Sequence, residues 1–453
     1  MKSGIKVLLM VILLVPVMAT AQTSTTSDSA KQRHEFSIKQ AVEYSRKNNV
    51  QVKNALLDVK IQEQTNREVT AMAYPQVSGT GSLTWNAKLP VSLIPAEIFG
   101  GTPGTYEELP FGVKWSTTWG VQLNQLLFDG QVFVGLQARN TVMDFQMKNM
   151  EVTEELIRTN IYKIYYQLII SKTQIELLDA NIERFDKLLK DTRIIYQNGF
   201  VEKLDVDKVS VSLNNLQTEK TRALNQVQNG YLGLKLLMGM PIQDELVLTD
   251  TVSYEEVKEG LLDPAGFSYQ NRKEYQSAQL GIKLNEYNIK RYKLSKIPTL
   301  SLNGYYNKNA QRNDFNFFKQ GNWYDISAFT LNVNVPIFTG FATNAKIAKA
   351  KLELKQSQNQ LDNLEKTIDN EIHTARNNFA TALATLDFQK QNMELAESVY
   401  NQTKKKYEVG VGSQTEINTA QTDLKTAQTN YVTALYAAVI AKIDYLKATG
   451  RLP

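Results

Sequence analysis

Few side chains in this sequence could do bond chemistry, and their spacing argues against it. There are two histidines, His34 and His373, and no cysteine. One histidine stands in a polar N-terminal stretch and the other in a long helical pattern, so neither belongs to a zinc-ligand spacing. No nucleophile elbow, phosphate loop or dinucleotide fingerprint is present. The glycines at 79 and 81 sit in an alternating run, and those at 100, 101 and 104 sit in a proline-rich loop that precedes no helix. Most carboxylates alternate with lysine along helices, the pattern of a solvated face. No catalytic residue, metal site or cofactor is therefore expected, and the chain does not read as an enzyme. Fifty-one basic residues against 46 acidic ones give a formal charge of +5 without a basic block, so nucleic acid is not an expected partner.

The elements that must carry any function are more informative. Ile161, Leu168, Ile175, Ile182 and Leu189 recur every seventh position, and Ile372, Phe379, Leu386, Met393 and Tyr400 repeat the series 211 residues later. Tyr196, Gly199 and Gly239 have counterparts at the same offset in Tyr407, Gly410 and Gly450. Sustained heptads are a coiled-coil seam, so one unit, a pair of very long helices, is built twice. Each long helix should run about 67 residues, or about 100 Å. The pairs are expected at about 131–238 and 342–448, with turns at Gly199 and at Gly410 and Gly412.

Before each pair the period changes from helical to alternating. Strands are expected at about 75–88, 113–128, 298–308 and 326–338, each with an apolar face and a small neutral polar face. Val77, Leu83 and Trp85 oppose Ser78, Thr80 and Thr84, for example. That length and pattern suit tilted strands crossing an outer membrane, with Trp85, Trp115, Trp119, Tyr305, Tyr306 and Trp323 as interfacial aromatics. Four strands cannot close a barrel, and open edges are not tolerated in lipid. A membrane-spanning sheet of this size must be completed by other copies, and three copies give twelve strands.

Residues 1–21 read as a secretory signal peptide: Lys2 and Lys6, an apolar run from Val7 to Met18, and the small-x-small site Ala19-Thr20-Ala21. A polar tail to residue 33 and a helix from Phe36 to about Met72 follow. The first repeat spans 22–240, an irregular acidic connector 241–264, and the second repeat 265–453. Loops are expected at about 89–112 and 309–325. The first is unusually apolar and is expected to constrict the outer mouth.

Taken together, these pieces resemble the outer-membrane efflux protein (TolC) family over essentially the whole mature chain. The most specific matches are the strand-to-helix junctions Leu127-Phe128-Asp129-Gly130 and Pro336-Ile337-Phe338-Thr339-Gly340, similar to the family's Pro-Leu-Phe-x-Gly. The turns Tyr196-x-x-Gly199 and Tyr407-x-x-Gly410 match too, and Asn271-Arg272 resembles an Asn-Arg-Pro-Glu segment. The resemblance implies a mixed, mainly α fold: a homotrimer with a twelve-stranded transmembrane β-barrel and a coiled-coil α-helical barrel reaching into the periplasm. It implies a passive exit duct that works with a periplasmic adaptor and an inner-membrane pump of the RND or ABC type, and that closes at its helical tips. Asp205 and Glu416, each six residues past a turn glycine, would form the gate's carboxylate rings, and Tyr407 matches a gate tyrosine by position. Thr419 and Gly412 depart from the aspartate and arginine that some members carry there. The alternative is an exported coiled-coil structural protein, either a periplasmic adaptor or a surface adhesin.

Overall fold

The computed structural model describes residues 32–258, 267–319 and 321–453. The signal-peptide segment, the tail to residue 31 and connector residues 259–266 lie outside the described residues. The first half contains β1 (Arg33–Phe36), α1 (Ile38–Asn48), α2 (Val50–Ala71), β2 (Gln76–Trp85), β3 (Val91–Pro95), β4 (Tyr106–Pro110), β5 (Trp115–Phe128), α3 (Gly130–Gln197) and α4 (Lys203–Met238). The second contains β6 (Glu245–Leu248), α5 (Tyr254–Lys258), α6 (Lys273–Leu294), β7 (Thr299–Arg312), β8 (Tyr324–Asn334), α7 (Ala342–Glu408) and α8 (Gln414–Ala448).

The heptads become two helical hairpins, α3–α4 and α7–α8. Ile161, Leu168 and Leu189 on α3, and Phe379, Leu386 and Tyr400 on α7, are buried. Towards the tips Leu189 and Tyr400 meet Val209, Leu213 and Leu216 of α4 and Ile417, Ala420 and Leu424 of α8. A second and larger core lies at mid-height, where Tyr165, Leu234, Met238, Val439 and Ile443 pack with α1 and β6.

At mid-height the duplication extends to single hydrogen bonds. Asn49 donates from Nδ2 to the Leu237 carbonyl near the end of α4, and Arg272 donates from Nη1 to the Ala448 carbonyl at the end of α8. Leu237 and Ala448 are themselves 211 residues apart. Each helix then ends on a left-handed glycine, Gly239 (φ 71°) or Gly450 (φ 67°), pressed against a backbone carbonyl. A Cβ at Gly239 would sit 2.3 Å from the Asn48 oxygen, and one at Gly450 2.8 Å from the Asn271 oxygen. No side chain fits either place, which is why glycine ends both helices.

Strands β2, β5, β7 and β8 form one antiparallel sheet in that order. The register puts Val77, Leu123, Gly304 and Phe329 on one rung, and Gly81, Trp119, Lys308 and Asp325 on another two steps outward. The apolar faces of all four strands therefore coincide. The opposite face carries Ser78, Thr80, Thr118, Gln122, Asn303, Asn309, Thr330 and Asn332, and none of its strand positions is charged. Tyr305 belongs to this polar face and Tyr306 to the apolar one. Among the described residues no helix is long and apolar enough to cross a membrane.

Several elements differ from the sequence reading. His34 is not in a loose tail: β1 pairs in parallel with β6, and His34 Nε2 lies 3.4 Å from Asp244. The connector likewise holds β6 and the short α5 in place of an irregular run. The helix expected over 36–72 is two helices, because Asn49 leaves the helical conformation and its side chain caps Gln51 and Val52. The apolar 89–112 stretch contains the β3–β4 hairpin, and β7 runs on through Arg312. The fourth strand stops at Asn334, and Val335 to Thr339 lead to the helix without pairing.

Candidate functional site

The residues singled out from sequence fall at opposite ends of the long helices. At the sheet end, the two strand-to-helix junctions use glycine differently. Gly130 opens α3, capped by Asp129, and a Cβ there would lie 2.8 Å from the Leu294 Cβ; close packing requires the glycine. Gly340 faces open space but has φ 58°, followed by Phe341 at φ 62°, so the second junction needs a left-handed turn instead. Phe128 packs on Phe133 at 5.4 Å, and Phe338 packs edge-on to Phe341 at 5.5 Å. Pro336 stands just ahead of this second pair.

About 100 Å away, at the tips, the turns close alike. Gly199 (φ 82°) donates to the Tyr196 carbonyl, and Gly410 (φ 78°) to that of Tyr407. Gly412 adds a bond to the Lys406 carbonyl, and a Cβ there would press on the Tyr407 backbone at 3.0 Å. Phe200, Val409 and Val411 are largely exposed at these turns. Asp205 stands in the first turn of α4, 3.5 Å from Lys208. Glu416 is the third residue of α8; its carboxylate accepts from the Ser413 amide, closing a capping box.

Tyr407 is half-buried between the hairpins and donates its hydroxyl to Gln414 Oε1, which Thr192 of α3 also reaches. Burial pushes the Tyr407 phenol up, and the Asp191 and Asp205 charges push it further, so it remains a neutral donor. The structure thus joins Tyr407 with Asp205 at one level and ties the two hairpins of a single chain together there.

Sequence reasoning missed the ladder that continues from this knot. Gln414, Gln421 and Gln428 follow at intervals of seven on α8, and all three are buried against the first hairpin. Gln428 Oε1 accepts from Asn181 Nδ2 at 2.8 Å, and Arg184 donates to Asn181 while lying over the Tyr400 ring. Gln421, 1 % exposed, has no protein partner for either amide atom. Lys425 to Glu219, 2.7 Å apart, crosses between the hairpins at the margin of this seam. The signal was present in the sequence as a heptad of glutamines lying beside the alanine-rich apolar stripe.

The arrangement has no catalytic geometry, and among the described residues no cluster of His, Asp and Glu could hold a metal. It is an interface of long helices held by apolar packing, buried amides and a few charged contacts at its margin. A family model described as outer membrane efflux protein matches residues 41–240 and 268–451, nearly the whole described chain. The chain belongs to the outer membrane efflux protein family. Its relatives include the outer membrane protein TolC of Vibrio cholerae, 20% identical over 338 residues, covering 74% of this chain and 76% of that protein. The outer membrane efflux protein BepC of Brucella suis is 22% identical over 408 residues, covering 90% and 83%. The solved structure of the channel CusC superposes with a TM-score of 0.75 at 17% identity, covering 91% of each chain. This efflux protein is accordingly an outer-membrane channel component with the TolC-like fold, and the family and its structural neighbours are channel proteins. The coiled-coil adaptor or adhesin alternative finds no support, because the match includes both repeats.

Proposed function

We propose that three copies of this efflux protein close into a passive exit duct: a twelve-stranded barrel in the outer membrane continued by a helical barrel in the periplasm. The observation that carries this reading is the sheet itself. Its outer strands β2 and β8 each have one unpaired edge, while one face is mainly apolar, with its charged residues, Lys308, Arg312 and Asp325, near its outer end. Unpaired backbone groups in lipid cost several kcal/mol each, and pairing β8 with the β2 of a neighbouring copy removes them all. The uncharged polar face then lines a wet lumen, which gives the duct little discrimination of its own.

The tips supply the gate. Opening the tips moves the α7–α8 hairpin away from α3–α4 and breaks the Tyr407–Gln414–Thr192 knot. The glutamine ladder makes the closed state only marginally preferred, since the buried Gln421 amide gains hydrogen bonds as the seam hydrates. Asp205 and Glu416 from three copies form two acidic rings near the constriction. Lys208 offsets Asp205, so the Glu416 ring dominates the field. The exposed Phe200, Val409 and Val411 at the turns give a periplasmic adaptor an apolar landing, and the adaptor links the duct to an inner-membrane pump of the RND or ABC type.

Single-channel recording of the detergent-purified protein in a planar bilayer tests this. Small, cation-preferring steps from a trimer are expected. A folded helical protein that does not insert would overturn the duct. Glu416→Gln retains the capping box, because glutamine serves there as well as glutamate. It should reduce cation preference more than Asp205→Asn; the reverse order would place the narrowest ring at Asp205.

A further inference from the structure

The apolar face of the sheet is not uniform. Near its outer end, Gly79, Gly81, Trp119, Tyr306, Lys308 and Trp323 line an open groove. The floor is open backbone at Gly79, where a Cβ would meet nothing within 4 Å, with Val121 opposite it; at Gly81 the Trp119 ring lies over the strand, 2.6 Å from where a Cβ would stand, and closes that end. Register sets Lys308 on the same rung as Gly81 and Trp119, beside Asp325 at 3.5 Å, both side chains about half exposed. A lipid-facing lysine costs about 2–4 kcal/mol at mid-bilayer and little at the interface, so Lys308 marks the headgroup level.

The segment joining β7 to β8 folds back over this face. Phe315 packs edge-on to Trp115 at 5.1 Å, Phe317 lies 6.5 Å from Trp323, and Arg312 donates to the Asn322 carbonyl. Ala310 and Thr117 are paired and buried on the same face, and Trp119 Nε1 donates to the Thr117 hydroxyl. Trp323 thereby becomes a wall of the groove, and Arg312 adds a second positive charge further out on the same face. An apolar slot with aromatic walls, a floor open at Gly79 and cations at its outer end fits an acyl chain that carries an anionic head. The Lys308–Asp325 pair is no obstacle, because an exposed pair of this kind is worth about 0–1 kcal/mol.

We propose that this groove is a binding site for a phosphorylated acyl lipid of the outer leaflet, with the chain over Gly79 beside the Trp119 ring and the phosphate on Lys308. The inference rests on the reading that the sheet spans the outer membrane with this face outward. Gly79→Leu puts an apolar side chain on the floor where a Cβ meets nothing within 4 Å, Lys308→Gln removes the cation, and Asp325→Asn removes the competing anion. The full-length protein and these variants, purified in detergent, would be incubated with bisphosphorylated lipid A and, separately, with phosphatidylethanolamine. Retained lipid would be counted by native mass spectrometry, with inorganic phosphate as competitor.

Lipid A retention should fall about fivefold in Lys308→Gln, the effect of one lysine at an anionic surface. It should fall in Gly79→Leu and rise in Asp325→Asn, while single-channel conductance stays unchanged in all three. Equal retention across the four proteins overturns the site, as does equal retention of phosphatidylethanolamine. Full displacement by inorganic phosphate alone also overturns it, since it would show that the groove holds no chain. Loss of bilayer insertion by the unmodified protein would refute the underlying membrane reading, which is a separate result.

Discussion

Tyr407 and Arg272 show how single side chains hold the long helices in place. Tyr407→Phe keeps the ring between the hairpins and deletes only the hydroxyl bond to Gln414. The loss of one such bond should lower stability by about 1 kcal/mol and increase the frequency of open events in bilayer recordings. An unchanged open probability would remove Tyr407 from the gate. Arg272 is almost fully buried, bridging Glu274, Glu371 and the Ala448 carbonyl. Burial raises the Glu274 carboxyl, but the Arg272 hydrogen bond and charge outweigh it and hold the group below the usual range. Its contribution is therefore complete above the unfolded value of about 4.3 and is lost as pH falls through the lower folded value. Thermal stability should drop on acidification below about pH 4, and Glu274→Gln should flatten that limb of the profile. A slope that is identical in the variant would assign the acid sensitivity to other carboxylates.

At the scale of elements, sequence was informative where one period dominates. The seven-residue series marks α3 and α7 because Ile161, Leu168, Phe379 and Leu386 must be buried along one seam. Alternation marks the strand faces because successive side chains point to opposite sides of a sheet. It fails for β1 and β6, four residues each, whose pairing partner lies more than two hundred residues away and leaves no local trace. It fails at Asn49 because one capping side chain interrupts a pattern that is helical on both sides. At the tips, the glycine turns and the position of Tyr407 between the hairpins could be read from sequence, but the burial of the glutamines could not: despite their spacing of seven, neutral amides look like solvated surface until a second hairpin covers them. That ladder gives the sharpest element-scale test. Gln421→Leu replaces an unpartnered buried amide with an apolar side chain of similar size. It should stabilise the closed seam by about 1–3 kcal/mol, raising Tm and suppressing opening and export. A neutral or destabilising result would mean that Gln421 is already satisfied in the closed state. The helix-ending glycines make a companion test. Gly239→Ala should destabilise more than Gly450→Ala, since its Cβ would be driven 0.5 Å deeper into a carbonyl oxygen.

For the whole molecule, the single chain leaves surfaces exposed that a lone copy would not keep. Phe388 and Leu395 of α7 are each 65% exposed and seven residues apart, on a helix whose other seam is already occupied by its own hairpin. Val211 and Leu204 of α4, also seven apart, are 59% and 56% exposed. These exposed apolar positions lie on opposite hairpins with coiled-coil spacing, and in the proposed trimer they would serve where α7 of one copy packs beside α4 of the next. The open edges of β2 and β8 make the same demand at the membrane end, so in the proposed trimer one rotation repeated three times would close the barrel and pair the helices together. Charging the helical stripe separates the two contributions. Phe388→Asp with Leu395→Asp buries two carboxylates at the proposed copy-to-copy seam and leaves the strands untouched. The double variant, measured by light scattering in detergent, should shift from trimer to monomer or become concentration-dependent, while circular dichroism of each chain stays helical. A trimer of unchanged stability would mean that this face of α7 points to solvent, and that the sheet edges alone hold the copies together.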